Sequence, residues 1–135
     1  MTLHTALLAP LFAAALAGLA GCVQAPTAAP PTGLLDVAER PAEKALLAGL
    51  RAYDDAQYPQ AEKHLQAALQ AGLVSLRDRA AAHKLLAFIT CTSDRLADCA
   101  VEFAAARNAD PHFQLSRSES GHPVWGPVYR RTLAP

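Results

Sequence analysis

The fold is decided between residues 41 and 72, which read PAEKALLAGLRAYDDAQYPQAEKHLQAALQAG. In the first half of this stretch, steps of four, three and four residues separate Leu46, Leu50, Tyr53 and Gln57. Residues with this spacing share one face of an α-helix. The charged side chains are assigned to the opposite face: Glu43, Lys44, Arg51 and Asp54. The pattern predicts an amphipathic helix that begins near Pro41, a residue type favoured in the first turn.

A second helix follows after a short turn. Proline cannot continue a helix interior, so the first helix is expected to end before Pro59, whose fixed φ suits the first turn of the next helix. Small and apolar residues then recur at helical spacing: Ala61, Leu65, Ala68 and Leu69. Gly72 supplies a C-terminal stop. Residues 41–72 therefore predict a helical hairpin.

The following segment repeats this arrangement. Ser75 and Asp78 have the spacing of a capping box, which starts a third helix. Apolar residues extend that helix to about Cys91: Leu85, Leu86, Phe88 and Ile89. A turn at Ser93 leads to a fourth helix that ends before Asp110, with these markers: Leu96, Ala100, Phe103, Ala104 and Arg107. No segment alternates with period two over the length of a strand, so the expected fold class is all-α.

The two hairpins resemble tetratricopeptide repeats, whose units place small residues where helices cross and bulky residues between them. In the first hairpin the resemblance rests on six positions: Gly49, Tyr58, Ala61, Leu65, Ala68 and Leu69. In the second it rests on six more: Leu86, Ala87, Cys99, Phe103, Ala106 and Pro111. The aligned Gly49 and Ala87 are 38 residues apart, instead of the roughly 34 residues of that family. The resemblance covers residues 42–111.

This resemblance implies two tetratricopeptide-like helical hairpins with a concave groove lined by the first helix of each pair. A plain four-helix bundle would use the same core residues and stays open as an alternative. Two repeats leave an apolar face uncovered, since about three are usually needed. A short, irregular C-terminal segment is therefore expected to cap the stack.

The N-terminal region has the composition of a targeting segment. Residues 6–21 are uncharged, contain Pro10 and are shorter than the roughly 20 residues of a membrane-spanning helix. They end in Leu19-Ala20-Gly21-Cys22, which resembles the bacterial lipobox, where the cysteine receives a lipid before cleavage. The preceding segment has no Lys or Arg, unlike a usual signal peptide. A buried apolar helix is the alternative.

These observations divide the chain into three parts. They are residues 1–21 as a lipoprotein signal peptide, residues 22–40 as a lipidated cysteine with a Pro/Ala-rich tether, and residues 41–131 as the helical domain with its capping tail. The residue after Cys22 is Val23 and not the Asp of the inner-membrane retention signal. We therefore expect the lipid on Cys22 to anchor the protein to the outer membrane, on the periplasmic face.

Cys91 and Cys99 are equally far along the chain from Arg95, the middle of the predicted turn. In an antiparallel hairpin such residues lie at the same level, and a disulfide needs Cα atoms within roughly 7 Å. The oxidising periplasm favours a structural disulfide. Two buried thiols are the alternative. A metal site with His83 or His112 is the least favoured, because no CxxC or HxxxH spacing is present.

Charge and motifs argue against several function classes. The 12 basic and 12 acidic side chains cancel, so no net field would attract nucleic acid. The P-loop, GxSxG and HExxH signatures of enzymes are absent. The acidic residues are assigned to solvated helix surfaces: Asp54, Asp55, Glu62, Asp78, Asp94, Asp98 and Glu102. His64 and His83 receive no role, and we expect no catalytic residue, no metal and no cofactor.

The tail contains a capping signal followed by an aromatic segment. Ser116 and Glu119 have capping-box spacing closed by Gly121, which predicts one helical turn. Residues 121–131 hold the only Trp and two prolines, and we expect no helix there. In one interpretation Trp125, Val128 and Tyr129 pack against the fourth helix and cap the repeats, with Trp125 covering Phe103. In the other, hot-spot residue types form an exposed partner-binding anchor: Trp125, Tyr129, Arg130 and Arg131.

The ending GHPVWGP at residues 121–127 is similar to that of small tetratricopeptide-like outer-membrane lipoproteins of Gram-negative bacteria, some encoded beside type VI secretion genes. This resemblance covers residues 84–131. It implies a periplasm-facing scaffold or accessory factor of an envelope-spanning machine, with an unidentified protein partner. The alternatives are an activator or inhibitor of a cell-wall enzyme and a small enzyme with an unrecognised site.

Overall fold

In a computed structural model the described residues are 33–133, and the regular structure among them is entirely α-helical. The helices are α1 (Leu34–Ala38), α2 (Pro41–Asp54), α3 (Tyr58–Ala71), α4 (Leu76–Thr92), α5 (Leu96–Ala109), α6 (Arg117–Ser120) and α7 (Trp125–Thr132). The predicted signal peptide and Cys22 lie outside the described residues. Within residues 33–133, none of the helices has the length and apolar character needed to cross a membrane.

Helices α2 and α3 form one hairpin, α4 and α5 form a second, and α4 packs against α3. This arrangement confirms the all-α prediction of two helical hairpins. The predicted boundaries follow local chemistry. The Ser75 hydroxyl accepts a hydrogen bond from the Asp78 N–H (3.2 Å) at the start of α4. Gly72 ends α3 with a φ of 87°, in the left-handed region that glycine adopts without strain.

The two hairpins turn in the same way, 38 residues apart. The Gln57 N–H donates to the Ala52 carbonyl (2.8 Å), and the Arg95 N–H donates to the Thr90 carbonyl (2.9 Å). The residue before each donor is left-handed: Ala56 (φ 57°) and Asp94 (φ 59°). The offset inferred from the small residues of the sequence is therefore also the offset of the backbone.

The core repeats with this offset as well. Helices α2 and α3 cross at Gly49, where a Cβ atom would lie 2.9 Å from the Leu65 side chain. A larger residue would therefore force the two helices apart. Three pairs of fully buried positions are 38 residues apart: Ala61 and Cys99, Leu65 and Phe103, Ala68 and Ala106. Phe103 is the largest fully buried side chain among the described residues.

The tail forms two short helices. At α6 the predicted capping box is confirmed, since Ser116 Oγ accepts from the Glu119 N–H (3.2 Å) and Glu119 Oε2 accepts from the Ser116 N–H (2.8 Å). The prediction that residues 121–131 contain no helix is wrong, because α7 begins at Trp125. Pro127 is the third residue of α7, where a backbone N–H has no partner within the helix. Proline removes no hydrogen bond there.

The predicted tether, residues 22–40, extends too far along the chain. Residues 34–38 form α1, and the Asp36 carboxylate caps its first turn by accepting a hydrogen bond from the Gly33 N–H (3.1 Å). Helix α1 contacts α2. The part of the predicted tether before residue 33 lies outside the described residues.

Candidate protein-binding site

An open groove lies between α1, α2 and the start of α4, with a cavity volume of about 310 Å³. Its lining is mostly aliphatic: Leu34, Val37, Leu46, Leu47 and Leu50, together with the carboxylates Glu43 and Asp78. Leu34 is 89% exposed and Leu47 is 41% exposed. The repeat resemblance implied a groove lined by the first helix of each pair, and α2 and α4 both contribute. The contribution of α1 was not expected from the sequence.

In the second hairpin the tail covers the equivalent face. Two groove residues have equivalents 38 positions later: Leu46 matches Lys84, and Leu50 matches Phe88. The Lys84 ammonium lies 2.7 Å from the Glu119 carboxylate of α6. The Phe88 ring stacks on Trp125 of α7, with ring centroids 4.3 Å apart. At these two positions, therefore, α6 and α7 cover the second hairpin.

Glu43 is the unusual member of the groove lining. Its assignment to the solvated face of α2 is wrong, because the residue is only 7% exposed. It precedes Leu46 by three residues and Leu50 by seven, which places it on the apolar face. The Arg40 guanidinium is 3.8 Å from its carboxylate, beyond hydrogen-bond distance. Its equivalent in the second hairpin is Ala81, so this helix position does not need a carboxylate in order to fold.

Trp125 and Tyr129, two predicted tail-site residues, pack against the second hairpin. Trp125 covers Phe88 of α4, and its indole N–H donates to the Glu119 carbonyl (2.8 Å). Tyr129 is 4% exposed, and its ring centroid is 5.2 Å from that of Phe103. The expectation that Trp125 covers Phe103 is wrong, because Tyr129 takes that place one helical turn later.

The other two predicted tail-site residues, Arg130 and Arg131, are exposed at the end of α7. The Arg130 guanidinium donates to the Ser120 carbonyl (3.0 Å) and so fastens α7 to α6. On α5, Arg107 donates to the Thr132 carbonyl. A second open cavity of about 450 Å³ has Arg107 and Arg130 in its lining. The four residues of the expected anchor therefore do not form one exposed surface. The two aromatic side chains pack against the second hairpin, and the two arginines are exposed to solvent.

A disulfide joins Cys91 of α4 to Cys99 of α5, with Cα atoms 5.1 Å apart. Both residues are fully buried. The predicted pairing of these two cysteines agrees with their disulfide distance. The bond closes the second hairpin at its turn.

Removal of this disulfide is expected to lower the free energy of unfolding by roughly 2 to 3 kcal/mol. The disulfide closes a short loop in the unfolded chain and so lowers the entropy of the unfolded state. Urea unfolding of the variant with Cys91→Ala and Cys99→Ala measures this loss. Periplasmic protein should also be two hydrogens lighter than the dithiol form and resist alkylation until reductant is added. Free alkylation of both cysteines in the unfolded, unreduced protein would contradict the assignment.

Two partly buried polar pairs connect neighbouring helices. Arg95 donates two hydrogen bonds, 2.9 and 2.7 Å long, to the Glu62 carboxylate of α3 and so ties the hairpins together. This interaction raises the pKa of Arg95 above its ordinary value. In the second hairpin His83 Nδ1 lies 2.7 Å from Glu102 Oε2. The assignment of Glu62 and Glu102 to solvated surfaces is wrong, since both are partly buried and paired.

A third pair, Lys84 with Glu119, holds the tail on α4. Burial alone would raise the pKa of Glu119. Hydrogen bonds from Lys84 and from the backbone and hydroxyl of Ser116 outweigh that effect, and the pKa lies below its ordinary value of 4.5. The charged form of Glu119 therefore stabilises the folded state.

Glu119→Gln is expected to lower the free energy of unfolding by about 1 kcal/mol at neutral pH. A carboxylate with a lowered pKa stabilises the fold above its ordinary pKa of 4.5, and this stabilisation is lost as the pH falls through the lower folded value. Urea unfolding should show the difference shrinking toward zero in acid. Glu39→Gln, at an exposed position, serves as the control. A Glu119→Gln effect of equal size at neutral and at acid pH would contradict the charge-based explanation.

Among residues 33–133, no group of three or more His, Cys, Asp or Glu side chains is placed to hold a metal ion. Comparisons with protein-family models, with curated proteins and with solved structures gave no match. The groove between α1, α2 and α4 combines open apolar surface with the Glu43 carboxylate, whose nearest cation is Arg40 at 3.8 Å.

Proposed function

We propose that this chain is a lipoprotein that binds another protein through the groove between α1, α2 and α4. One observation carries the proposal. Leu47 is exposed beside an open, mostly aliphatic cavity of about 310 Å³, whereas the second-hairpin equivalents of Leu46 and Leu50 contact α6 and α7. Apolar surface of this kind, rimmed by polar groups, is typical of binding sites.

The proposal includes the location of the protein. The lipid on Cys22 anchors the chain to the outer membrane, and the helical domain faces the periplasm. The buried disulfide supports this part of the proposal, because disulfides persist in the periplasm and are rare in the cytosol. The balanced charge of the chain argues against a nucleic-acid partner.

The role we propose is that of a scaffold or accessory factor of an envelope-spanning machine, such as type VI secretion. The similarity of the GHPVWGP ending to lipoproteins of that context supports this role. We propose no catalytic activity. Identification of the partner separates this role from the regulation of a cell-wall enzyme.

Leu47→Glu is the direct test of the groove, because it places a charge at an exposed apolar position of the lining. It is expected to abolish recovery of the partner after crosslinking in intact cells. Val101→Glu, at a 66% exposed position of α5 outside the groove, should leave recovery unchanged. Both variants should keep the wild-type melting temperature. Equal recovery of the partner with both variants would contradict the assignment of the groove.

Cys22→Ser tests the lipid anchor. Without the thiol no lipid can be attached, so the variant should leave the membrane fraction when cells are broken. Persistence of the Cys22→Ser protein in washed membranes would contradict the proposed anchor.

A further inference from the structure

We infer that the partner segment in the groove is an amphipathic helix with a lysine or arginine on its apolar face, and that this cation pairs with Glu43. The inference rests on the proposed function and specifies the chemistry of the partner. Three observations carry it: the aliphatic lining, the buried carboxylate of Glu43, and the second carboxylate of Asp78 in the same groove.

The lining selects a helix among the common forms of a bound peptide. An extended peptide that adds to a sheet needs an exposed strand, and residues 33–133 contain no strand. Proline-rich peptides dock into grooves lined by aromatic side chains, whereas this groove is lined by Leu and Val. An amphipathic helix places its apolar face in an aliphatic groove of this type.

Glu43 supplies the polar element of recognition. The residue is 7% exposed, and the Arg40 guanidinium at 3.8 Å is too distant for a hydrogen bond. Its ion pair with Arg40 therefore leaves the Glu43 carboxylate without a direct hydrogen bond. A charge-assisted hydrogen bond from a second cation would be stronger than this contact. An ammonium or guanidinium group of the partner would donate a hydrogen bond to the Glu43 carboxylate. Asp78 adds a second negative charge to the lining of the groove.

The negative charge of the groove also argues against the other candidate occupants. Residues 23–33 of this chain carry no charged side chain, so that segment cannot supply a further cation to Glu43 beyond Arg40. A purely apolar helix would bury the carboxylate further and supply no hydrogen bond to it. An acidic helix would be repelled by Glu43 and Asp78. A basic residue on an otherwise apolar face satisfies both the lining and the charge.

A displayed library of amphipathic helical peptides provides the test, with the full chain in detergent as the target. Leucine fills the apolar face of each peptide except at one central position, which is randomised. Peptides with Lys or Arg at that position are expected to be enriched about tenfold over those with Gln. Glu43→Gln should abolish this preference, and Glu43→Lys should reverse it toward Asp and Glu. Asp54→Asn, an exposed carboxylate on the same helix, should leave the preference unchanged.

Melting temperatures show whether each variant keeps its fold, and Glu43→Gln keeps the shape of the side chain. No preference for a basic residue, or a preference that survives Glu43→Gln, would overturn the inference. A dimer that Leu47→Glu dissociates, and that no peptide displaces, would also overturn it in favour of a second copy. The proposed function fails separately, if Leu47→Glu leaves recovery of the cellular partner intact.

Discussion

A chain truncated after Gly121 is expected to lose at least about 5 kcal/mol of its free energy of unfolding, close to the whole stability of a marginal domain. The truncation removes Trp125, Val128 and Tyr129, and the last two are almost fully buried. Burial of one large apolar side chain contributes roughly 1.5 to 3 kcal/mol. The truncation also uncovers the aromatic rings of Phe88 and its neighbours, so the loss exceeds that of any single side chain.

Thermal unfolding measures this effect. For a domain of about 100 residues, each kcal/mol shifts the melting temperature by roughly 4 to 8 °C, so the truncated chain should melt at least about 20 °C lower and bind more hydrophobic dye. Val124→Ser, at a 41% exposed position of the same tail, should melt within a few degrees of the wild type. If the truncated chain is as stable as the full chain while partner binding is lost, the tail is a recognition element and not a cap.

Phe103→Ala is expected to lower the free energy of unfolding by about 3 to 5 kcal/mol, the range for truncation of a large buried aromatic. Phe103 is fully buried. Its ring centroid lies 6.1 Å from that of Phe88 and 5.2 Å from that of Tyr129. The substitution therefore opens a cavity between α4, α5 and α7, where these three rings meet.

Urea unfolding of the Phe103→Ala protein gives this loss directly. Val101→Ala, on the exposed face of the same helix, should change the free energy of unfolding by no more than about 0.5 kcal/mol. A loss below about 1 kcal/mol for Phe103→Ala would mean that the aromatic cluster does not form the core of the second hairpin.

The hairpins could be predicted from the sequence because their determinants are local. Gly49 occurs at the small position of a repeat pattern, and the structure shows a neighbouring side chain 2.9 Å from where its Cβ would lie. Cys91 and Cys99 are symmetric about the turn at Arg95, and the hairpin brings their Cα atoms to 5.1 Å. Spacing along the chain is sufficient for both features.

Two errors came from giving residue type more weight than position. Glu43 has the spacing of the apolar face, three residues before Leu46, but its charge suggested solvent. Pro127 suggested an irregular segment, but within the first turn of α7 a missing N–H removes no hydrogen bond. Spacing alone would have placed Glu43 correctly.

The groove itself could not be predicted in full. Helix α1 has only five residues, too few to show a periodic pattern, and its position depends on contacts with α2. Leu47 follows the apolar stripe by one residue, so helical spacing does not mark it as part of the groove. The ring that each tail aromatic contacts could not be predicted without α7. The geometry of this helix brings Tyr129, and not Trp125, to Phe103.

Site-specific photocrosslinking in intact cells tests the binding groove most directly. A photoreactive amino acid at position 47 should form an adduct with the same protein that copurifies with the unsubstituted chain. The same amino acid at position 101, which is more exposed to solvent than position 47 and lies on α5 outside the groove, should form none. An adduct at position 101 without one at position 47 would contradict the conclusion that the groove between α1, α2 and α4 binds the partner.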